Sequence, residues 1–68
     1  MDEDIEKRFT YQAPRSDQSQ RFEYIGEYAK RFAYLIKLVS PQSQEQDLAI
    51  THLQEAVFFA HAAIERNE

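Results

Sequence analysis

A chain of 68 residues that contains no cysteine has few routes to stability. A single core of that size buries too little apolar surface to offset chain entropy comfortably, and neither disulfides nor thiolate-held zinc can reinforce it. Association with further copies of itself is the remaining common route, so a homo-oligomer is expected. There is room for one domain, residues 1–68. The N-terminal run Met1 to Phe9 is charged from Asp2 onward, and no stretch reads as a signal segment or a bilayer span, so a mature, soluble protein is expected. The lack of cysteine fits an intracellular setting.

A single glycine and two prolines punctuate the chain, and there is no internal repeat, so long helices with short connections are expected. The fold class read from this is all-α: an antiparallel helical hairpin preceded by a short N-terminal helix or arm over residues 1–16. Asp17, with Gln20 three residues on, offers a capping box for a first long helix over 18–39. Its apolar positions Phe22, Ile25, Ala29, Phe32 and Ile36 follow the spacing of one helical face, and Tyr24, Tyr28 and Leu35 form a second stripe off it. Ser40-Pro41 closes that helix, because the residue before proline is pushed away from helical geometry and proline suits the first turn of the next. Ser43 with Gln46 offers another capping box, in a second helix over 41–67 with Ala49, Leu53, Ala56, Val57, Ala60 and Ile64 as its core stripe. So short a connection folds two long helices back on each other.

The segment Glu55 to Arg66 is apolar on nearly every side, which one partner helix cannot cover, so sister chains are expected to shelter it. The helical candidate Asp2 to Phe9 is too short to persist alone and is expected to pack on a neighbour.

The formal net charge of −4 argues against generic DNA or RNA binding, where clustered cations supply the affinity. The charge is unevenly spread: residues 1–37 carry seven basic and seven acidic side chains, residues 38–68 only Arg66 against five acids. The segment Lys7 to Arg15 interleaves cations with Phe9 and Tyr11, a mixture that suits a nucleotide through stacking and phosphate contacts. The same aromatics can equally anchor the arm on the hairpin. His52 with Glu55 and His61 with Glu65 each share a helical face, but their order is the reverse of the Glu-x-x-His metal motif, so no metal site is expected. No cysteine is present, the serines lie in capping and turn segments, and neither histidine has an orienting acid plus a nucleophile, so no catalytic residue and no cofactor are expected.

The arm Glu6-Lys7-Arg8-Phe9-Thr10-Tyr11 with Pro14, then Gln20-Arg21-Phe22-Glu23, and the ending Leu53 to Val57 through Ala62 to Asn67, resembles the small phage anti-CBASS proteins that sequester cyclic oligonucleotide signals. Their helical hairpin domain is shared with a class of anti-Thoeris sponges. The resemblance implies a homohexamer, a trimer of dimers, that binds cyclic dinucleotides and cyclic trinucleotides in the host cytoplasm without hydrolysing them. It implies Tyr11 as the base-stacking residue of a dinucleotide site, with Phe9, Pro14 and Arg15 as neighbouring wall or phosphate contacts. It implies Arg66 as the phosphate contact of a trinucleotide site on a three-fold axis, where the plain alternative is a cation complementing the helix dipole. Relatives tend to carry a basic or polar side chain near position 26, and Gly26 offers none. Lys30, one turn on, is the candidate to compensate, and Tyr28 bears on the trinucleotide site. An assembly or adaptor protein with no small ligand is the competing expectation.

Overall fold

In a computed structural model the described residues are 2–10 and 17–68, with side chains described from Gln20 onward in the second stretch. Three helices follow one another: α1 (Glu3–Arg8), α2 (Asp17–Val39) and α3 (Gln44–Asn67). The described residues are thus all-helical, with α2 and α3 forming the antiparallel hairpin.

The capping expectations hold in part. Helix α2 already includes Asp17, so Asp17 is not its cap and the capping position falls outside the described residues. Helix α3 starts three residues later than expected, with Pro41 in the connection and Ser43 as the N-cap. Ser43 Oγ accepts from the Gln46 amide at 3.1 Å, which is half of a capping box. The Gln46 side chain does not close the other half. It turns inward, buried, and donates to the Ser40 carbonyl at 2.9 Å and Ser40 Oγ at 3.1 Å. It thereby serves a carbonyl just past the end of α2, where intrahelical donors have run out.

The buried positions of α2 are Phe22, Gly26, Ala29 and Ala33, with Ile25 and Ile36 half-buried beside them. Phe32, expected inside, faces solvent at 53% exposure, and Ala33 takes the inner position at 0%. The reason is steric: α1 and α3 both lie close to α2, and glycine and alanine allow that approach where phenylalanine would force the helices apart. On α3 the buried residues are Gln46, Ile50, Val57 and His61. Leu53, Ala60 and Ile64 are half-buried, and Ala49 and Ala56 lie exposed, against expectation.

Helix α1 packs on its own hairpin. Its capping Asp2 carboxylate accepts from the Asp4 and Ile5 amides at 3.0 and 3.2 Å, and its acids precede its bases, complementing the helix dipole. Six residues do not hold a helix by these means alone. Ile5 and Phe9 supply the rest, entering the core formed with Ala29, Ala33, Ile50 and Val57. Alongside them runs a polar seam in which α2 positions 30, 34 and 37 meet Asp2, the cap of α1, and Glu6 within it. Lys37 Nζ lies 2.7 Å from Asp2, Tyr34 donates to Glu6 at 2.6 Å, and Lys30 Nζ lies 3.1 Å from Glu6. Arg8 reaches across to Thr51 on α3 at 3.3 Å.

The open end of the hairpin is tied by Arg21, which donates to both carboxylate oxygens of Glu68 at 2.7 and 2.5 Å. Beside that tie, Phe22 and His61 stack with ring centroids 4.1 Å apart and planes 12° from parallel.

Candidate functional site

A cleft of about 490 Å³ opens where the end of α1 meets the first half of α2, lined by Phe9, Thr10, Phe22, Glu23, Tyr24, Gly26, Glu27 and Lys30. Its walls follow from local structure. Phe9 is the C-cap of α1 and is pinned by core burial, at 1% exposure, so it forms a rigid edge. Phe22 is held from behind by the His61 ring. Glycine at 26 costs a helix interior about 1 kcal/mol relative to alanine, and its missing side chain leaves the recess open between Phe22 and Lys30.

Among the described residues Lys30 is the basic side chain lining the cleft, and its ammonium is engaged by Glu6. Glu6 in turn is held below its ordinary carboxylate value, first by the Tyr34 hydroxyl and then by Lys30. The same Tyr34 hydroxyl is pushed up, chiefly by Glu6. Against that neutralised lysine stand Glu23 and Glu27, four residues apart on one face of α2, and neither makes an ion pair among the described residues.

His61, which shares a helical face with Glu65, is 8% exposed inside the hairpin. Burial lowers its pKa, partly offset by a hydrogen bond with the Phe22 backbone and by Glu65. His52 does pair at the surface, its Nδ1 2.9 Å from Glu55. Among the described residues no three His, Cys, Asp or Glu side chains gather as metal ligands, and no helix is long and apolar enough to cross a membrane.

A second groove, of about 470 Å³, runs along the outer seam of α2 and α3 and is almost wholly apolar, with Tyr24, Tyr28 and Phe32 facing Leu53, Ala56 and Ala60. Tyr28 belongs here and not to the first cleft, with the Arg31 guanidinium 5.6 Å from its ring centre.

The residues expected to bind ligand are thus distributed as follows. Phe9 is a core residue that also lines the cleft, so its anchoring and wall roles coincide. Gly26 and Lys30 face the same cleft, which helical direction alone left open. Arg66 is exposed in the last turn of α3 and is not among the lining residues of either cavity. Tyr11, Pro14 and Arg15 lie outside the described residues; the chain enters that segment from Thr10, a lining residue. The reading of the sequence missed Phe22, Glu23, Tyr24 and Glu27 as lining residues. The i, i+4 placement of two glutamates flanking a glycine was the available signal.

The family model described as Acb2/Tad1, hairpin domain, matches residues 1–65. The chain belongs to the Acb2/Tad1 hairpin family. That is a family of sponges, anti-CBASS and anti-Thoeris, and therefore of binding domains rather than enzymes. The match spans α1, α2 and nearly all of α3, so the Acb2/Tad1 hairpin includes every residue that lines the cleft. No curated protein sequence and no solved structure matches the chain.

Proposed function

We propose that this protein binds and sequesters cyclic di- and trinucleotide immune signals without cleaving them, as a homohexamer acting in the cytoplasm of a phage-infected host. The observation that carries the reading is the match of residues 1–65 to the hairpin domain of a sponge family, in a chain whose cleft has the exposed Tyr24 on its rim. Tyr24, 56% exposed, has a face to offer a nucleobase, stacking being worth about 1–3 kcal/mol per base, and family membership makes a cyclic oligonucleotide the ligand it would meet. In this reading Tyr11 stacks on a base, Phe9, Pro14 and Arg15 complete the dinucleotide site, and Arg66 meets phosphates of a trinucleotide where copies converge. A symmetric dimer offers the same arm to each half of a cyclic dinucleotide, and converging arginines favour an anion between them.

Calorimetry with a cyclic dinucleotide and a cyclic trinucleotide on Tyr11→Ala and Arg66→Ala tests the assignment. Tyr11→Ala is expected to weaken the dinucleotide alone and Arg66→Ala the trinucleotide alone. A substitution without effect on its own ligand removes that residue from the site.

The exposed aromatic faces favour a second reading, an assembly or adaptor protein without a small ligand. Phe58 and Phe59 stand 61% and 67% exposed in the single chain, and protein surfaces alone could use them. Thermal shift separates the two, because a ligand bound only by the folded state raises the melting temperature by linkage and an adaptor does not respond.

A further inference from the structure

The hairpin has two faces, and its own short helix closes one of them. Helix α1 lies against α2 at Lys30, Tyr34 and Lys37 and reaches α3 at Thr51. The other side of α2 carries the apolar groove, with Tyr24, Tyr28 and Phe32 along one wall and Ala56 and Ala60 of α3 along the other. The two walls differ in relief. On α2 the three aromatics recur every fourth residue as a ridge, between 53% and 66% exposed, while on α3 the two alanines, also four apart, leave a shallow floor. Leu35 and Val39, 48% and 70% exposed, continue the ridge along the helix. Among the described residues no charged side chain lines the groove, and Arg31 stands beside it with its guanidinium 5.6 Å from the Tyr28 ring centre.

The size of this patch points to an occupant. An aromatic side chain carries about 150–250 Å² of surface, so three rings exposed to this degree present on the order of 350 Å². Monomers seldom leave a contiguous apolar patch of more than a few hundred Å² open to water. With Leu35, Val39 and the alanine floor, the patch reaches the roughly 500 Å² per copy at which specific interfaces begin. The link between Thr10 and Asp17 is too short to shelter its far half. It extends at most about 25 Å between two anchors, while Phe32 lies about 22 Å of helix beyond Asp17 and Leu35 and Val39 further still.

We propose that this groove is a two-fold seam between copies of the chain, in which the Tyr24, Tyr28 and Phe32 ridge of each copy lies on the Ala56 and Ala60 floor of the other. Ridge and floor stand side by side on one surface, so a two-fold rotation satisfies both at once and the contact closes on a pair. Rows spaced four apart seat in grooves spaced four apart, the commonest way in which helices pack. A foreign protein would have to supply that same pairing of ridge and floor, and a second copy carries it by construction. The inference rests on the homo-oligomer of the reading above and names the face that makes its pairs, whichever ligand binds.

The test is sedimentation of the full chain beside Ala56→Glu and Tyr28→Glu, one substitution in each wall. Both positions are exposed in a single chain and glutamate is a good helix former, so the fold of one copy tolerates either, with circular dichroism as the check. In the seam each substitution buries a carboxylate without a partner, and the sedimenting mass is expected to fall at least twofold. Should a variant lose its helical signal, nitration of the unsubstituted protein decides: Tyr24 and Tyr28 are expected to react severalfold more slowly in the native oligomer than in the urea-unfolded chain. If the oligomer keeps its mass through both substitutions, or both tyrosines react as fast in it as in the unfolded chain, the seam assignment is wrong and the homo-oligomer stands. If the unsubstituted chain sediments as a single copy, seam and homo-oligomer fall together, and ligand binding is judged separately by the calorimetry above.

Discussion

Phe9 carries two duties, and its burial decides which one a substitution exposes first. Truncating a fully buried phenylalanine costs about 3–5 kcal/mol, a large share of what a small domain has to lose. Phe9→Ala is therefore expected to lower the urea midpoint sharply, and weakened ligand binding in that variant reflects unfolding of the cleft edge as well as lost contact. His61 makes a prediction of a different kind. Because burial depresses its pKa below 6.5, the unfolded chain takes up the proton first as pH falls. The stability tied to neutral His61 is thus complete above about pH 6.5 and is lost progressively below it. Asp2 and Glu6, depressed from 3.8 and 4.5 mainly by Lys37 and Tyr34 respectively, extend the loss at pH values below about 4.5. Tyr34 and Lys37, raised from 10.0 and 10.5, stabilise the fold below those values and cease to do so as pH climbs through their folded ones. Urea denaturation across pH should show all three limbs. His61→Phe, which keeps a ring against Phe22, should erase the limb that starts near pH 6.5 and leave the others, and persistence of that limb would assign it elsewhere.

At the scale of the helix, the break between α2 and α3 was legible in the residues, while the start of α2 was not and the buried faces were only in part. Ser40-Pro41 marks the end of α2 and Ser43 caps α3, since both effects act through a few neighbouring backbone groups. Ser43→Ala is expected to cost about 1 kcal/mol, read as a drop in melting temperature, because the Gln46 amide loses its acceptor. A change much smaller than this would mean that water replaces the hydroxyl without cost. The inner face of α2 was misjudged by one residue, with Phe32 chosen over Ala33, because hydrophobic spacing weights bulk while close helix contacts demand its absence. The pairing of Lys30 with Glu6 and of Lys37 with Asp2 escaped for a related reason: it depends on where α1 lands, which residue spacing within α2 does not encode.

The whole chain is too open for a finished globule. Its radius of gyration is 12.7 Å, where a compact chain of this length has about 11 Å. Its accessible surface is 5208 Å², against about 4,500 Å² for a compact monomer of this mass. Large apolar side chains stand exposed on it, among them the edge-to-face pair Phe58 and Phe59, with ring centroids 5.3 Å apart. On the oligomer proposed above, these rings are interface. Phe58→Ser with Phe59→Ser is expected to shift the sedimenting species to lower mass while the helical circular dichroism signal persists at high concentration. An unchanged mass would place the subunit contacts elsewhere, with the apolar groove beside Tyr28 and Phe32 the next surface to alter.

Helix content, the break at Ser40-Pro41 and the excess of apolar surface were settled by composition and local pattern, since each arises from interactions over a few residues or from simple supply of side chains. The packing of α1 across the hairpin, the neutralisation of Lys30 and the assembly of a cleft from Phe9, Phe22, Gly26 and two glutamates came only with the folded chain. Those depend on which faces meet at a distance along the sequence, and that choice is made by the shapes of several elements packing at once.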